Sequence, residues 1–151
     1  MLELCTQEEQ NYIFDTFNAT IAYEMGTYLS KKAIELNLPI IVDISTPKQT
    51  IYHFASFGST TNNENFIRRK RNTVMLFCHS TRWVDTKVKS DVPAMHSKYG
   101  TNDADFSILQ GGFPILVKDM GFVGSFCVSG LTEKEDHGLI IEALDSYFHR
   151  T

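Results

Sequence analysis

No apolar run in this 151-residue chain approaches the length needed to span a bilayer. Its three cysteines, Cys5, Cys78 and Cys127, are an odd number and make no Cys-x-x-Cys pair. That argues against a disulfide framework and a structural zinc site, and it fits a reducing compartment. Positive charge is not in excess: the formal net charge is −4, which gives no general attraction to nucleic acid or to anionic membranes. Met1 to Gln10 is polar and acidic rather than a positively charged lead into an apolar run, so no signal peptide is expected and the expected location is cytoplasmic. Internal repeats, low-complexity tracts and linkers are missing, so the expectation is a single domain over residues 1–151.

Several chemical signatures are missing as well. There is no His-Glu-x-x-His, so no metal is expected. There is no Gly-x-Ser-x-Gly elbow, and adjacent Asp136 and His137 on one helix point in different directions, which argues against a hydrolase triad with Ser129. Gly111-Gly112 and Gly121-x-x-Gly124 lack the Lys-Ser/Thr and the βαβ setting of a phosphate loop.

What is present is clearest from Gln110 to Leu144. Apolar runs at Phe113–Val117 and Phe122–Val128, separated by Lys-Asp-Met-Gly, predict a β-hairpin. Thr132 and Glu135 form a capping box, and Ile140, Ile141, Leu144, Tyr147 and Phe148 give the following helix one apolar face. Earlier, Phe14, Phe17, Ile21, Met25, Leu29, Ala33 and Leu36 recur at steps of three and four, which predicts one long helix ended by Pro39. A capping box at Thr6 and Glu9 precedes that stripe.

Ile40–Ile44 and Gln49–Phe57 predict a second hairpin. A Thr61-x-x-Glu64 box then opens a helix over Asn62 to about His79, which carries Arg68-Arg69-Lys70-Arg71. Trp83–Lys98 predicts helix interrupted at Pro93. Gly100–Asp105 predicts a polar loop, and Ser107–Leu109 a short strand. Two hairpins among helices imply an α+β fold: a largely antiparallel sheet of about five strands flanked by helices in α/β/α layers.

Two motifs are more specific. Arg69-Lys70-x-x-Thr73 runs on to Phe77-x-His79-Ser80, and Ser129-Gly130-Leu131 is followed by Glu135-Asp136-His137. Together with Gly111-Gly112-Phe113-Pro114 they resemble the GlcG/HbpS-like superfamily of haem-degrading-domain proteins, and within it the branch called uncharacterised protein family 0303. The resemblance runs from about Gly26 to the end of the chain. It implies a profilin-like sheet flanked by helices, self-association into a homo-oligomer, and a haem-related ligand, as some members of the superfamily bind haem. One departure is visible. Relatives often carry His-Gly-Gly where this chain has Gln110-Gly111-Gly112, and an amide neither titrates nor coordinates as imidazole does.

The candidate ligand-binding residues are therefore Arg69, Lys70, Thr73, His79, Asp136 and His137. Four successive bases on a helix fan out by about 100° each, so only one or two can face a cleft. The bland account is a solvated, ion-paired face. The functional account is an anion site for carboxylate or phosphate groups, haem propionates included. Asp136 suits a helix N-terminus on electrostatic grounds alone, and His79 suits a helix C-terminus. Phe66, Phe77, Trp83 and Tyr99 are the aromatics available to line a flat pocket, and equally to fill a core. Three functions stay open: a homo-oligomeric domain binding a small anionic or flat ligand such as haem, a scaffold that recruits another protein, and a haem-degrading enzyme.

Overall fold

The computed structural model describes residues 1–149; the last two residues of the expected domain lie outside them. Among the described residues there are six helices and five strands. In chain order they are α1 (Leu2–Gln10), β1 (Ile13–Phe14), α2 (Ala19–Leu36), β2 (Ile41–Ser45), β3 (Thr50–Ala55), α3 (Thr61–Phe77), α4 (Thr81–Val88), α5 (Val92–Tyr99), β4 (Gly112–Val117), β5 (Gly121–Ser129) and α6 (Glu133–Phe148). The strands form one sheet in the order β1-β4-β5-β2-β3. The hairpins β2–β3 and β4–β5 form as expected, and β2 joins β5 antiparallel to make them one surface. The two-residue β1 runs parallel to β4, so the sheet is mixed at that edge.

Side-chain alternation divides the sheet between two layers. Val42, Ile44, Phe113, Ile115, Phe126 and Val128 face α2 and α6 in the main core, with Met25, Leu29, Ile140 and Leu144. The opposite face turns Ile41 and Cys127 toward Ile67 of α3. Gly112 lets α3 and α4 come close, because a Cβ there would stand 2.8 Å from Val74 Cγ2 and 3.0 Å from Thr81 Cγ2.

Several boundaries differ from expectation for local reasons. The predicted long first helix is two elements and a break. Thr6 lies inside α1, and Phe14 is buried from β1 against Phe17, Tyr147 and Phe148. The helix proper starts at Asn18, whose side chain accepts from the Ile21 amide. The cap of α3 is Thr60 with Asn63 rather than Thr61 with Glu64. The break between α4 and α5 falls at Lys89 and Ser90, both left-handed, and Pro93 sits in the first turn of α5. Ser107–Leu109 forms no strand; the Ser107 backbone instead pairs with Thr73. Cys5 and Cys127 are buried free thiols, whereas Cys78 is exposed and caps α3 in a left-handed conformation.

Candidate functional site

The basic run of α3 diverges as helix geometry requires. Arg68 reaches the Asp105 carboxylate at 2.9 Å and the Ala104 carbonyl. Arg69 donates to the Asp103 carbonyl at 3.0 Å and lies over the Phe66 ring. Lys70 turns inward, and Arg71 meets Asp43 at 3.2 Å.

Lys70 is a buried ammonium held by two acceptors. Its Nζ donates to Asp136 Oδ2 at 3.1 Å and to the Val128 carbonyl at 2.9 Å. Asp136 Oδ1 accepts from the Leu131 amide at 3.0 Å. Burial pushes the Asp136 carboxyl above its ordinary range, against the pull of Lys70. One turn on, Thr73 donates to the Ser107 carbonyl at 2.8 Å and accepts from its amide. Lys70, Thr73 and Asp136 thus fasten α3 to the strand ends and to α6.

The two histidines meet a different element. His137, at the start of α6, presents Nε2 to Glu8 Oε1 at 2.9 Å, and Arg82 reaches the same oxygen at 3.2 Å. His79 presents Nδ1 to Glu9 Oε1 at 2.7 Å while the Ser80 amide donates to Glu9 Oε2 at 3.0 Å. His79 also stacks on Trp83, with ring centroids 3.6 Å apart. Two neighbouring carboxylates of α1 are therefore received by two imidazoles, one guanidinium and a main-chain amide. The Glu8 carboxyl is lowered: burial alone would raise it, but His137 and Arg82 together outweigh that cost. His137 Nδ1 is buried without a hydrogen-bond partner.

The six expected residues therefore form two groups linked through the Asp136-His137 step, with Arg69 at the solvent side of α3. Sequence reasoning did not find Glu8, Glu9 and Arg82, because only the packing of α1 on α4 brings them in. It also missed a network on the α3 face of the sheet. Asp43, all but fully buried, accepts from Arg71, from Ser45 Oγ at 2.7 Å, and bonds His53 Nδ1 at 2.8 Å; His53 Nε2 meets Glu64 at 2.9 Å. Burial disfavours charge on His53, but Glu64 and Asp43 overcome it and raise the imidazole. An acid inside the apolar run Ile40–Ile44 was the available signal, since a buried carboxylate needs partners.

The expected aromatics do not gather into one slot: Phe77 packs on Tyr99, Phe66 lies under Arg69 and Trp83 lies under His79. A groove of about 710 Å³ lies instead between α2 and α6, lined by Met25, Tyr28, Lys31, Lys32 and Tyr147, and none of the six expected residues borders it. No group of three or more His, Cys, Asp or Glu among the described residues is arranged to hold a metal ion.

A family model described as haem degrading protein HbpS-like matches residues 17–145. The chain belongs to the HbpS-like family. Within this family it is similar to a UPF0303 protein of Mesorhizobium japonicum, 36% identical over 143 residues, which are 95% of this chain and 86% of the relative. Among solved structures it shares its fold with the Ybr137w protein, at a TM-score of 0.89 and 24% identity over 100% of this chain and 90% of the other. The PduOC:haem complex has the same fold at a TM-score of 0.71 and 14% identity, covering 87% and 94%. The HbpS-like match begins after α1 and β1, so the two acids that engage His79 and His137 stand outside the family-matched region.

Proposed function

We propose that this chain is a cytoplasmic, homo-oligomeric ligand-binding domain whose ligand is small, anionic and flat, with haem as the leading candidate. The observation that carries this reading is the receipt of two carboxylates by His79, the Ser80 amide, Arg82 and His137. That donor set suits the two propionates of haem, since charge-assisted bonds from imidazole, guanidinium and amide groups are the usual means of holding carboxylates. Bound haem would supply redox-active iron; His79, Arg82 and His137 would hold and orient it. Membership of the HbpS-like family and the haem complex of a protein with the same fold support the same ligand. Lys70, Thr73 and Asp136 have a supporting role in this reading, fixing the helix and strand ends beneath the histidines.

The test is a haem titration followed at the Soret band. Saturable binding at low-micromolar haem is expected, with weakened binding for His137→Ala and for Arg82→Ala. Absence of any saturable shift sinks the haem reading.

A second reading, recruitment of another protein, is favoured by a separate surface. Phe57 and Ile34 are exposed around a hollow beside β3, an edge strand of the sheet. Retention of self-association by a Phe57→Ser variant together with loss of a captured partner would favour it over the ligand reading.

A further inference from the structure

We infer that α1 is a displaceable strap that fills the anion site with the chain's own carboxylates, so that a ligand bearing two carboxylates binds by evicting Glu8 and Glu9. The inference rests on the ligand-binding reading and adds its regulation.

Three observations carry it. The first is what holds α1 down. Of its nine residues only Cys5 and Glu9 are buried, and Leu4 is largely exposed. Little apolar area is removed from water, so the helix has few of the contacts that resist local opening. Its attachments are mostly polar: Glu8 to His137 and Arg82, Glu9 to His79 and the Ser80 amide, Thr6 accepting from Trp83 Nε1 at 3.1 Å, and the buried Cys5 thiol 3.7 Å from the Thr86 hydroxyl.

The second is the chemistry of the receiving surface. Glu9 is 1% exposed, and every partner on this surface that reaches either carboxylate is a donor. Without α1, two imidazoles, a guanidinium and the amide at the start of α4 would face solvent with no acceptor supplied by the fold. The surface is already complete for two carboxylates set close together, whichever molecule brings them. The buried, partnerless Nδ1 of His137 lies in the same ring that Glu8 engages. That ring therefore keeps one polar atom that the strap leaves without a hydrogen bond.

The third is where α1 lies relative to the family-matched region. The match spans residues 17–145, which contains His79, Arg82 and His137 but neither Glu8 nor Glu9. The receiving groups belong to that region, and the carboxylates that occupy them come from the segment before it.

A protein whose competent state is only fractionally populated shows an affinity reduced by that fraction, and removing the internal competitor restores it. The experiment compares haem binding by wild-type protein and by the Glu8→Gln/Glu9→Gln variant, alongside amide hydrogen exchange on the wild-type protein with and without haem. The strap predicts affinity higher by about tenfold or more in the variant. It also predicts faster exchange in residues 2–10 of the wild type on adding haem, with protection at Ser80–Arg82. Equal affinity in both proteins, or haem-induced protection of residues 2–10, overturns the strap and leaves the ligand reading standing. Should neither protein bind haem, the ligand reading falls and the strap falls with it. Where the variant fails to fold, the wild-type exchange experiment decides alone.

Discussion

Lys70 Nζ lies 3.1 Å from Asp136 Oδ2 with both side chains almost sealed from solvent, so an ammonium from α3 and a carboxylate from α6 neutralise each other inside the protein. Removing one partner of such a pair strands a buried charge, which typically costs about 3–5 kcal/mol, whereas replacing both is often close to neutral. Lys70→Met alone is therefore expected to lower unfolding free energy by about 3–5 kcal/mol. The double variant Lys70→Met/Asp136→Asn should recover a large part of that, because Asn keeps an acceptor for the Leu131 amide. Urea denaturation of the four proteins in the cycle measures the coupling; additive losses would show that the pair does not act as a unit.

Gly111 shapes the space that Lys70 enters. Its φ is +121°, and a Cβ there would stand 2.5 Å from Lys70 Nζ and 2.6 Å from the Val128 carbonyl oxygen. Gly111→Ala meets both penalties, since the backbone conformation disfavours a side chain and the ammonium must leave its acceptors. Backbone strain alone of this kind costs about 1–3 kcal/mol. A loss of that size or more in denaturant unfolding is expected, and a neutral substitution would mean the Lys70 site is looser than the geometry indicates.

The elements set by local chemistry were legible. The Thr132–Glu135 box and both hairpins come from short spacings of caps, turns and alternating apolar residues. The mistakes lie where two local signals overlap. Phe14 and Phe17 continue the apolar step of α2 although Asn18 starts that helix, because β1 buries Phe14 in the same core from another direction. Tandem Thr60 and Thr61 offered two caps one residue apart, and Asn63 rather than Glu64 completes the box. Within the basic run the inward residue was recoverable. Lys70 falls three after Ile67 and four before Val74, on the stripe that packs against the sheet. Glu8, Glu9 and Arg82 had no such signal, since their meeting depends on α1 folding back over α4.

His53 gives the network on the α3 face a pH dependence. Its folded pKa is raised above the ordinary 6.5 by Glu64 and Asp43, in spite of burial. A group raised on folding contributes stability fully below its unfolded pKa and loses it as pH rises through the folded value. Thermal midpoints should therefore fall from pH 6.5 upward in the wild-type protein, and His53→Asn should flatten that part of the profile. A wild-type profile unaffected by the substitution would remove His53 as the titrating group.

Glu8 has the opposite sign. His137 and Arg82 hold its folded pKa below the ordinary 4.5, so its contribution is present above that value and is lost as pH falls through the folded one. The loss falls on the attachment of α1, because the protonated carboxyl no longer balances Arg82 and His137. Trp83 reports on this directly: it is the single tryptophan, it stacks on His79, and its Nε1 donates to Thr6 of α1. On acid titration, Trp83 emission is expected to change below pH 4.5 while far-ultraviolet circular dichroism still shows most of the helix content. Glu8→Gln should shift that fluorescence transition, since it removes the titrating carboxyl and leaves the fold around it intact. If the two signals change together in both proteins, α1 is released only when the whole domain unfolds, and its attachment is part of the global core.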